Sequence, residues 1–433
     1  MSKEKLYISF IKWISIGYIF ILTLLGIFLP YNIELLFGLN IIGLTSFSVS
    51  IFLNRKEYQK WRLIIEVISL SLIFIFSLIF IIWKIYAFYF INQGLSLLFI
   101  SYSFIYTLIR VNKEKSGKKI IKNITLVVAS IISITVFSLG SISLLGYKRS
   151  LMSSLVELAL ANTKVDDSHA LEAFNRDTSL EKELTFDTSL VKNDIRMELF
   201  ENMKVYYLNS NSNYSSVLFY IHGGYYIYNI DSYQIKSIDR IATLSNSMVV
   251  IPLYTLAPFE DVDINYPRMK RLYEKVVADN PNKKISLLGD SAGGGFALSI
   301  AENLTKSPDE LILLSPWVDV TMTNPDIKQY YDPTLSITMC KLCGEAWAGT
   351  NLTNDYRVSP IYGDLSKLNK VTIFVGTREL FYPDNILLYN KIKETGNPHV
   401  SLIVGNGLNH VYPFGPTIEG RFAIEQISRI INS

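Results

Sequence analysis

The sequence predicts a multi-domain chain in three parts. An all-α transmembrane region of about five helices occupies residues 1–150, a connector or cap residues 151–200, and an α/β domain with a mainly parallel sheet and helices on both faces residues 201–433. Three observations lead there: long apolar runs confined to the first third, a charge split between the two ends, and short β-like runs alternating with helical stretches in the second half. Of the 433 residues, 49% are hydrophobic and 18% charged, which excludes a disordered chain, and 2 Cys are too few for a disulfide-built module. Residues 1–150 hold 16 Lys+Arg against 5 Glu, a net +11, with no Asp before Asp166. The remainder has 25 basic against 33 acidic residues, a net −8. The basic residues sit between apolar runs and form no basic face, which speaks for a bilayer and against a nucleic-acid partner.

Lipid offers no partner to an exposed peptide group, so each span needs about 20 apolar residues in a helix. Five stretches reach that length: 6–29, 33–53, 63–82, 88–109 and 120–145. Lys3 and Lys5 precede the first, Arg55, Lys56, Lys60 and Arg62 follow the second, and Arg110, Lys113, Lys115, Lys118, Lys119 and Lys122 follow the fourth. The other two connections carry only Lys84. Since Lys and Arg stay on the cytoplasmic side, the expected arrangement is an integral multi-pass protein with its N-terminus cytoplasmic and its soluble domain extracytoplasmic. Lys12 and Glu66 lie near span ends, where snorkelling accounts for them.

Beyond the spans, helices are expected over 151–161 and around 168–174, and strands over 203–208, 217–221, 248–252, 285–288, 311–314, 371–375 and 400–404. The strand 285–288 runs into Gly289-Asp290-Ser291-Ala292-Gly293 and then into a helical stretch. That order of strand, tight turn and helix presents a serine at a helix N-terminus as a nucleophile. A side chain at Gly289 or Gly293 would collide with the neighbouring elements. Upstream, strand 217–221 leads into His222-Gly223-Gly224-Tyr225, whose backbone N–H groups can face an oxyanion together with the amide of Ala292.

A base is sought among four histidines. His169 lies in the connector, His222 holds the glycine loop, and His399 precedes the last strand, whereas His410 follows it, where sites of parallel sheets lie. The acid should follow the preceding strand, and Glu379 is preferred to Asp384. Asp319, Asp332 and Asp355 read as structural, and Cys340-Lys-Leu-Cys343 as a buried or disulfide-bonded pair, since no His stands near enough to complete a zinc site.

On these residues the part from about 200 to 433 resembles the hormone-sensitive-lipase-like α/β-hydrolases, a group of carboxylesterases, lipases and acetyl hydrolases. The matching pieces are His222-Gly-Gly, Tyr254-Thr-Leu-Ala-Pro258, Gly289-Asp-Ser-Ala-Gly293, Ser315-Pro-Trp-Val-Asp319, Val358-Ser-Pro360 and the acid and histidine loops. The resemblance implies an α/β-hydrolase fold and a carboxylic-ester hydrolase with no metal or organic cofactor. Its triad would be Ser291, Glu379 and His410, and its oxyanion hole Gly223, Gly224, Tyr225 and Ala292. The implied substrate is an ester, small acyl or lipid- or envelope-linked. Two positions depart from the family: Tyr225 stands where a third glycine is usual, and Glu379 where Asp is usual. The membrane region is an addition that the family generally lacks. An acyltransferase using the same triad, and an inactive ligand-binding sensor domain, are the alternative readings.

Overall fold

The computed structural model describes residues 147–181, 183–211 and 213–433, with isolated helical pieces between 14 and 143, of which 14–21 is the longest. The five expected spans fall largely outside the described residues. Among the described residues, no helix is long and apolar enough to cross a membrane. The chain divides into two compact units, Met1–Ser154 and Leu155–Ser433. In the first, the Arg149 side chain donates to Ser154 Oγ at 2.9 Å.

The second unit is built on an eight-stranded sheet. Its strands are β1 (Ile195–Phe200), β2 (Met203–Leu208), β3 (Ser216–Ile221), β4 (Ser247–Leu253), β5 (Lys284–Asp290), β6 (Glu310–Leu314), β7 (Val371–Arg378) and β8 (Val400–Asn409). They lie in the order β1-β2-β4-β3-β5-β6-β7-β8. β1 and β2 run antiparallel, β2 runs antiparallel to β4, and every later pairing is parallel.

Alternation along each central strand supplies two cores. In β3, Val217, Phe219 and Ile221 face one hydrophobic cluster, and Leu218 and Tyr220 the other. All six residues of β3 are buried, as expected of a parallel strand covered on both faces. On one face lie α4 (Val262–Asp279), α5 (Ser291–Ala301) and α7 (Tyr382–Glu394), contributing Leu272, Phe296 and Leu388. On the other, α3 (Ser232–Ser245) packs with α8 (Ile418–Ile431) through Ile238 and Ile427. α6 (Ile337–Ala348) completes the first face. Cys340 and Cys343 are free thiols buried on it.

Ahead of the sheet, α1 (Leu151–Ala161) and α2 (Ala170–Thr178) form the cap. The six residues of β1 fall within the stretch expected as connector and are instead a sheet edge. Glu201 and Asn202, both at positive φ, make the two-residue hairpin that turns β1 into β2. Its turn lacks the usual Asn-Gly signal, and its Met197 and Leu199 are exposed, so neither turn chemistry nor burial marks it. β7 and β8 also run further than expected. Glu379 and His410 therefore follow directly on strand ends.

Candidate active site

Four strands deliver the predicted residues to their carboxyl ends. β3 ends at the glycine loop, β5 at Ser291, β7 at Glu379 and β8 at His410. Ser291 sits at φ +52°, a left-handed conformation that costs an L-residue about 1–2 kcal/mol and persists only where the surroundings enforce it. The glycines show what does the enforcing. A Cβ on Gly289 would lie 2.2 Å from Gly293 O, and one on Gly293 would lie 2.2 Å from Ile221 O. The turn is wedged between its own helix and β3.

Ser291 Oγ and His410 Nε2 are 2.9 Å apart, a full hydrogen bond. On the far side of the ring, His410 Nδ1 faces Glu379 Oε2 at 3.4 Å, longer than a normal hydrogen bond. The alternative acid, Asp384, instead accepts from Asn324 Nδ2 at 2.6 Å on the first turn of α7. Burial alone would lower the pKa of His410, but the Glu379 carboxylate outweighs it and holds the imidazole above its usual 6.5. The Phe381 ring meets the imidazole edge-on at 5.2 Å and itself stacks on Trp317 at 5.6 Å, which keeps this side of the histidine dry.

Sequence reasoning left Ser315 without a role. Its Oγ donates to Glu379 Oε2 at 2.7 Å and accepts from the Val411 N–H at 3.0 Å, tying the acid to the backbone just after the histidine. Asp332 keeps its structural reading, and its place is informative. It accepts from the Leu380 N–H at 2.9 Å, directly beside the acid, and from Thr334 and Leu335. The sequence signals for Ser315 are its position just past β6 and its place at the head of Ser315-Pro-Trp-Val-Asp319.

Of the four expected oxyanion donors, Gly223 departs from expectation. Its N–H donates to Asp290 Oδ1 at 3.0 Å, and a Cβ there would lie 2.5 Å from Asp290 Oδ2. That amide is engaged within the protein. Asp290 also accepts from Tyr220 Oη at 2.6 Å and Gln234 Nε2 at 2.9 Å, while burial pushes its pKa from 3.8 up to about 6. Gly224 and Tyr225 line the cavity at φ +123° and +57°. Tyr225 thus keeps the left-handed backbone that a glycine would take without strain. Ala292 is the second residue of α5, in the first turn, where N–H groups have no intrahelical partner.

His222 is fully buried, with Nδ1 bonded to Gly223 O at 2.8 Å and its ring stacked on Tyr254 at 4.6 Å. Burial lowers its pKa to about 4, so it stays neutral and braces the loop. His169 and His399 lie away from the cavity, in the cap and ahead of β8. Among the described residues, no group of His, Cys, Asp and Glu is arranged to hold a metal.

Above these residues lies a cavity of about 590 Å³, lined by Ser291, His410, Gly224 and Tyr225. Val156 and Leu160 of the cap close it on one side, and Asn229 and Gln234 add polar wall. The arrangement offers a hydroxyl, a base in contact with it, a carboxylate behind the base, and amides beside the hydroxyl.

Residues 218–414 match a family model described as the alpha/beta hydrolase fold. A Mycobacterium tuberculosis protein assigned as an acetyl-hydrolase is 29% identical over 168 residues, 37% of this chain and 54% of that protein. An esterase of Acinetobacter venetianus is 25% identical over 208 residues, 46% of this chain and 68% of the other. Among solved structures, a Staphylococcus aureus protein assigned as an esterase superposes with a TM-score of 0.58 at 25% identity, over 62% of this chain and 94% of its own. The chain spans about half the length of the first two curated relatives it matches. Fold and relatives together support the resemblance to the hormone-sensitive-lipase-like α/β-hydrolases.

Proposed function

We propose that this protein is a serine carboxylic-ester hydrolase working through an acyl-enzyme. The contact of Ser291 Oγ with His410 Nε2 at 2.9 Å, at the floor of the cavity, carries the reading. Ser291 attacks the ester carbonyl while His410 takes its proton. The imidazolium so formed is balanced by Glu379, which Ser315 and the Asp332-bound Leu380 N–H hold in place. The tetrahedral oxygen is stabilised by the amides of Gly224 or Tyr225 and of Ala292, with Gly223 serving as a tether to Asp290. His410 then protonates the leaving alcohol, and water, activated by the same base, releases the acid. The names of the relatives, acetyl-hydrolase and esterase among them, support ester chemistry.

We further propose that residues 1–150 anchor the hydrolase in a membrane, the N-terminus cytoplasmic and the catalytic unit outside. The support is the five apolar stretches and the alternation of basic connections.

The test is hydrolysis of p-nitrophenyl esters, acetyl to long acyl, by the full chain in detergent. Ser291→Ala is expected to lose about 10⁶-fold in kcat. Wild-type turnover that survives the substitution overturns the triad. Absence of turnover in a folded wild type overturns the hydrolase and leaves the acyltransferase and the sensor domain.

A further inference from the structure

We infer that the ion pair between Glu157 and Arg378 is the strut that seats the cap helix α1 over the cavity, and that this seating sets which acyl length the site accepts. The inference deepens the ester-hydrolase reading and rests on it.

In α1, Leu151-Met-Ser-Ser-Leu-Val-Glu-Leu-Ala-Leu-Ala161, Glu157 is the single charged residue. Val156, Ala159, Leu160 and Thr163, spaced one helical turn apart, line the cavity. Leu158, on the far face, is 62% exposed, and Leu155, on the flank one turn before Ala159, is 37% exposed. Burial of apolar surface alone therefore discriminates weakly between the two sides of the helix, because Leu158 offers as large a side chain as Leu160. A directional contact has to make that choice.

Glu157 makes it. Its two carboxylate oxygens receive Arg378 Nε at 2.7 Å and Nη2 at 2.8 Å, a two-pronged pair whose planar geometry fixes rotation as well as distance. Arg378 is the last residue of β7, a strand paired on both sides, and its guanidinium lies over the Tyr331 ring at 4.6 Å. The anchor is thus part of the sheet, next in sequence to Glu379. Downstream ties hold the rest of the cap: Lys164 Nζ donates to Asp332 O at 2.8 Å, Asp167 accepts from Thr338 N at 2.9 Å, and Tyr228 Oη donates to Asp177 at 2.6 Å. None of them acts within residues 155–161, the part that walls the cavity. With the strut in place, Val156 and Leu160 stand at a fixed depth and an acyl chain longer than that depth meets them.

The full chain in detergent carries the test, with Glu157→Gln, which keeps the volume, and the exchanged pair Glu157→Arg with Arg378→Glu. Kinetics on p-nitrophenyl esters from acetyl to dodecanoyl are read beside amide hydrogen exchange of residues 155–161. Glu157→Gln is expected to raise KM for the preferred ester about tenfold with little change in kcat, to flatten the chain-length profile, and to speed exchange in the helix. The exchanged pair is expected to regain both. A folded Glu157→Gln protein with the wild-type profile, or with wild-type exchange, overturns the strut, as does an exchanged pair that regains neither. Failure of the hydrolase itself is distinct, showing as a wild type that turns over no ester while the exchange measurement still reads the helix.

Discussion

The two halves of the site are held by different means. The nucleophile half, β3, β5 and α5, is locked by backbone against backbone: Gly289 against Gly293, and Gly293 against Ile221 and His222, with no room for a methyl group. The acid–base half, at the ends of β7 and β8, is held by side-chain hydrogen bonds from Ser315 and Asp332, and its central contact is a looser 3.4 Å. A backbone lock admits one residue type and leaves little freedom. A side-chain bridge can be lengthened: Ser315 holds the Glu379 carboxylate where its longer chain delivers it.

The sharpest way to probe the acid–base half is Glu379→Gln, expected to lower kcat by about 10⁴-fold, since an amide neither balances the imidazolium nor enforces the tautomer. The same variant reads the electrostatics. His410 must be neutral to accept the serine proton, so kcat/KM rises with pH through its pKa, which the carboxylate holds above 6.5. With the carboxylate gone, burial is opposed only by the smaller pull of Asp332 and Asp290, and the acidic limb of the pH profile is expected to move down. A limb that stays in place removes Glu379 from the role.

The nucleophile half is broken by Gly293→Ala. Its new Cβ would lie 2.2 Å from Ile221 O and 2.4 Å from His222 O, both backbone atoms, so the elbow has to shift. The expected costs are about 100-fold in activity, from a misplaced Oγ, and about 3 kcal/mol in stability. On melting this is a drop of roughly 10 °C. Tolerance of this alanine would end the contrast between the halves.

Asp290→Asn sharpens it, because the Asp290 side chain joins the elbow to the glycine loop. An amide can still accept from Gly223 and Tyr220 but turns an NH₂ toward Gln234, so a kcat about tenfold lower with KM unchanged is expected. Stability should move differently. The folded pKa of Asp290 lies above the ordinary 3.8, at about 6, so its contribution is greatest below pH 3.8 and is lost as pH rises through 6. Denaturation curves between pH 4 and 7 should show that component in the wild type and lack it in the Asn variant.

The smallest effect is expected of Ser315→Ala. It removes one bond to Glu379 and leaves the Val411 N–H without its partner, for about 2 kcal/mol of stability and a severalfold loss in kcat. A loss equal to that of Glu379→Gln would mean that the acid is oriented by this hydroxyl alone.

These contrasts also explain what could be read from the sequence. Seven of the strands in the sheet and the strand–turn–helix at Ser291 were legible, because each is written in a contiguous run: short apolar stretches between helical ones, and glycines flanking a serine. β1 escaped because an edge strand whose four middle residues are exposed buries too little to leave a pattern. Gly223 looked like an oxyanion donor because a glycine loop after a strand presents several amides at once, and nothing local tells which of them Asp290 claims.

By itself, then, the sequence determined the parallel α/β architecture, the elbow at Ser291 and the candidate acid and base, since backbone conformation and burial periodicity are set by neighbouring residues. Only the tertiary structure decided the assignment of Gly223 to Asp290, the bridge from Ser315 to Glu379 and the strut from Glu157 to Arg378. Their partners lie 67, 64 and 221 residues apart in the chain. Such a pairing is fixed by where the sheet brings strand ends together, a distance in space for which the order of residues carries no periodic signal.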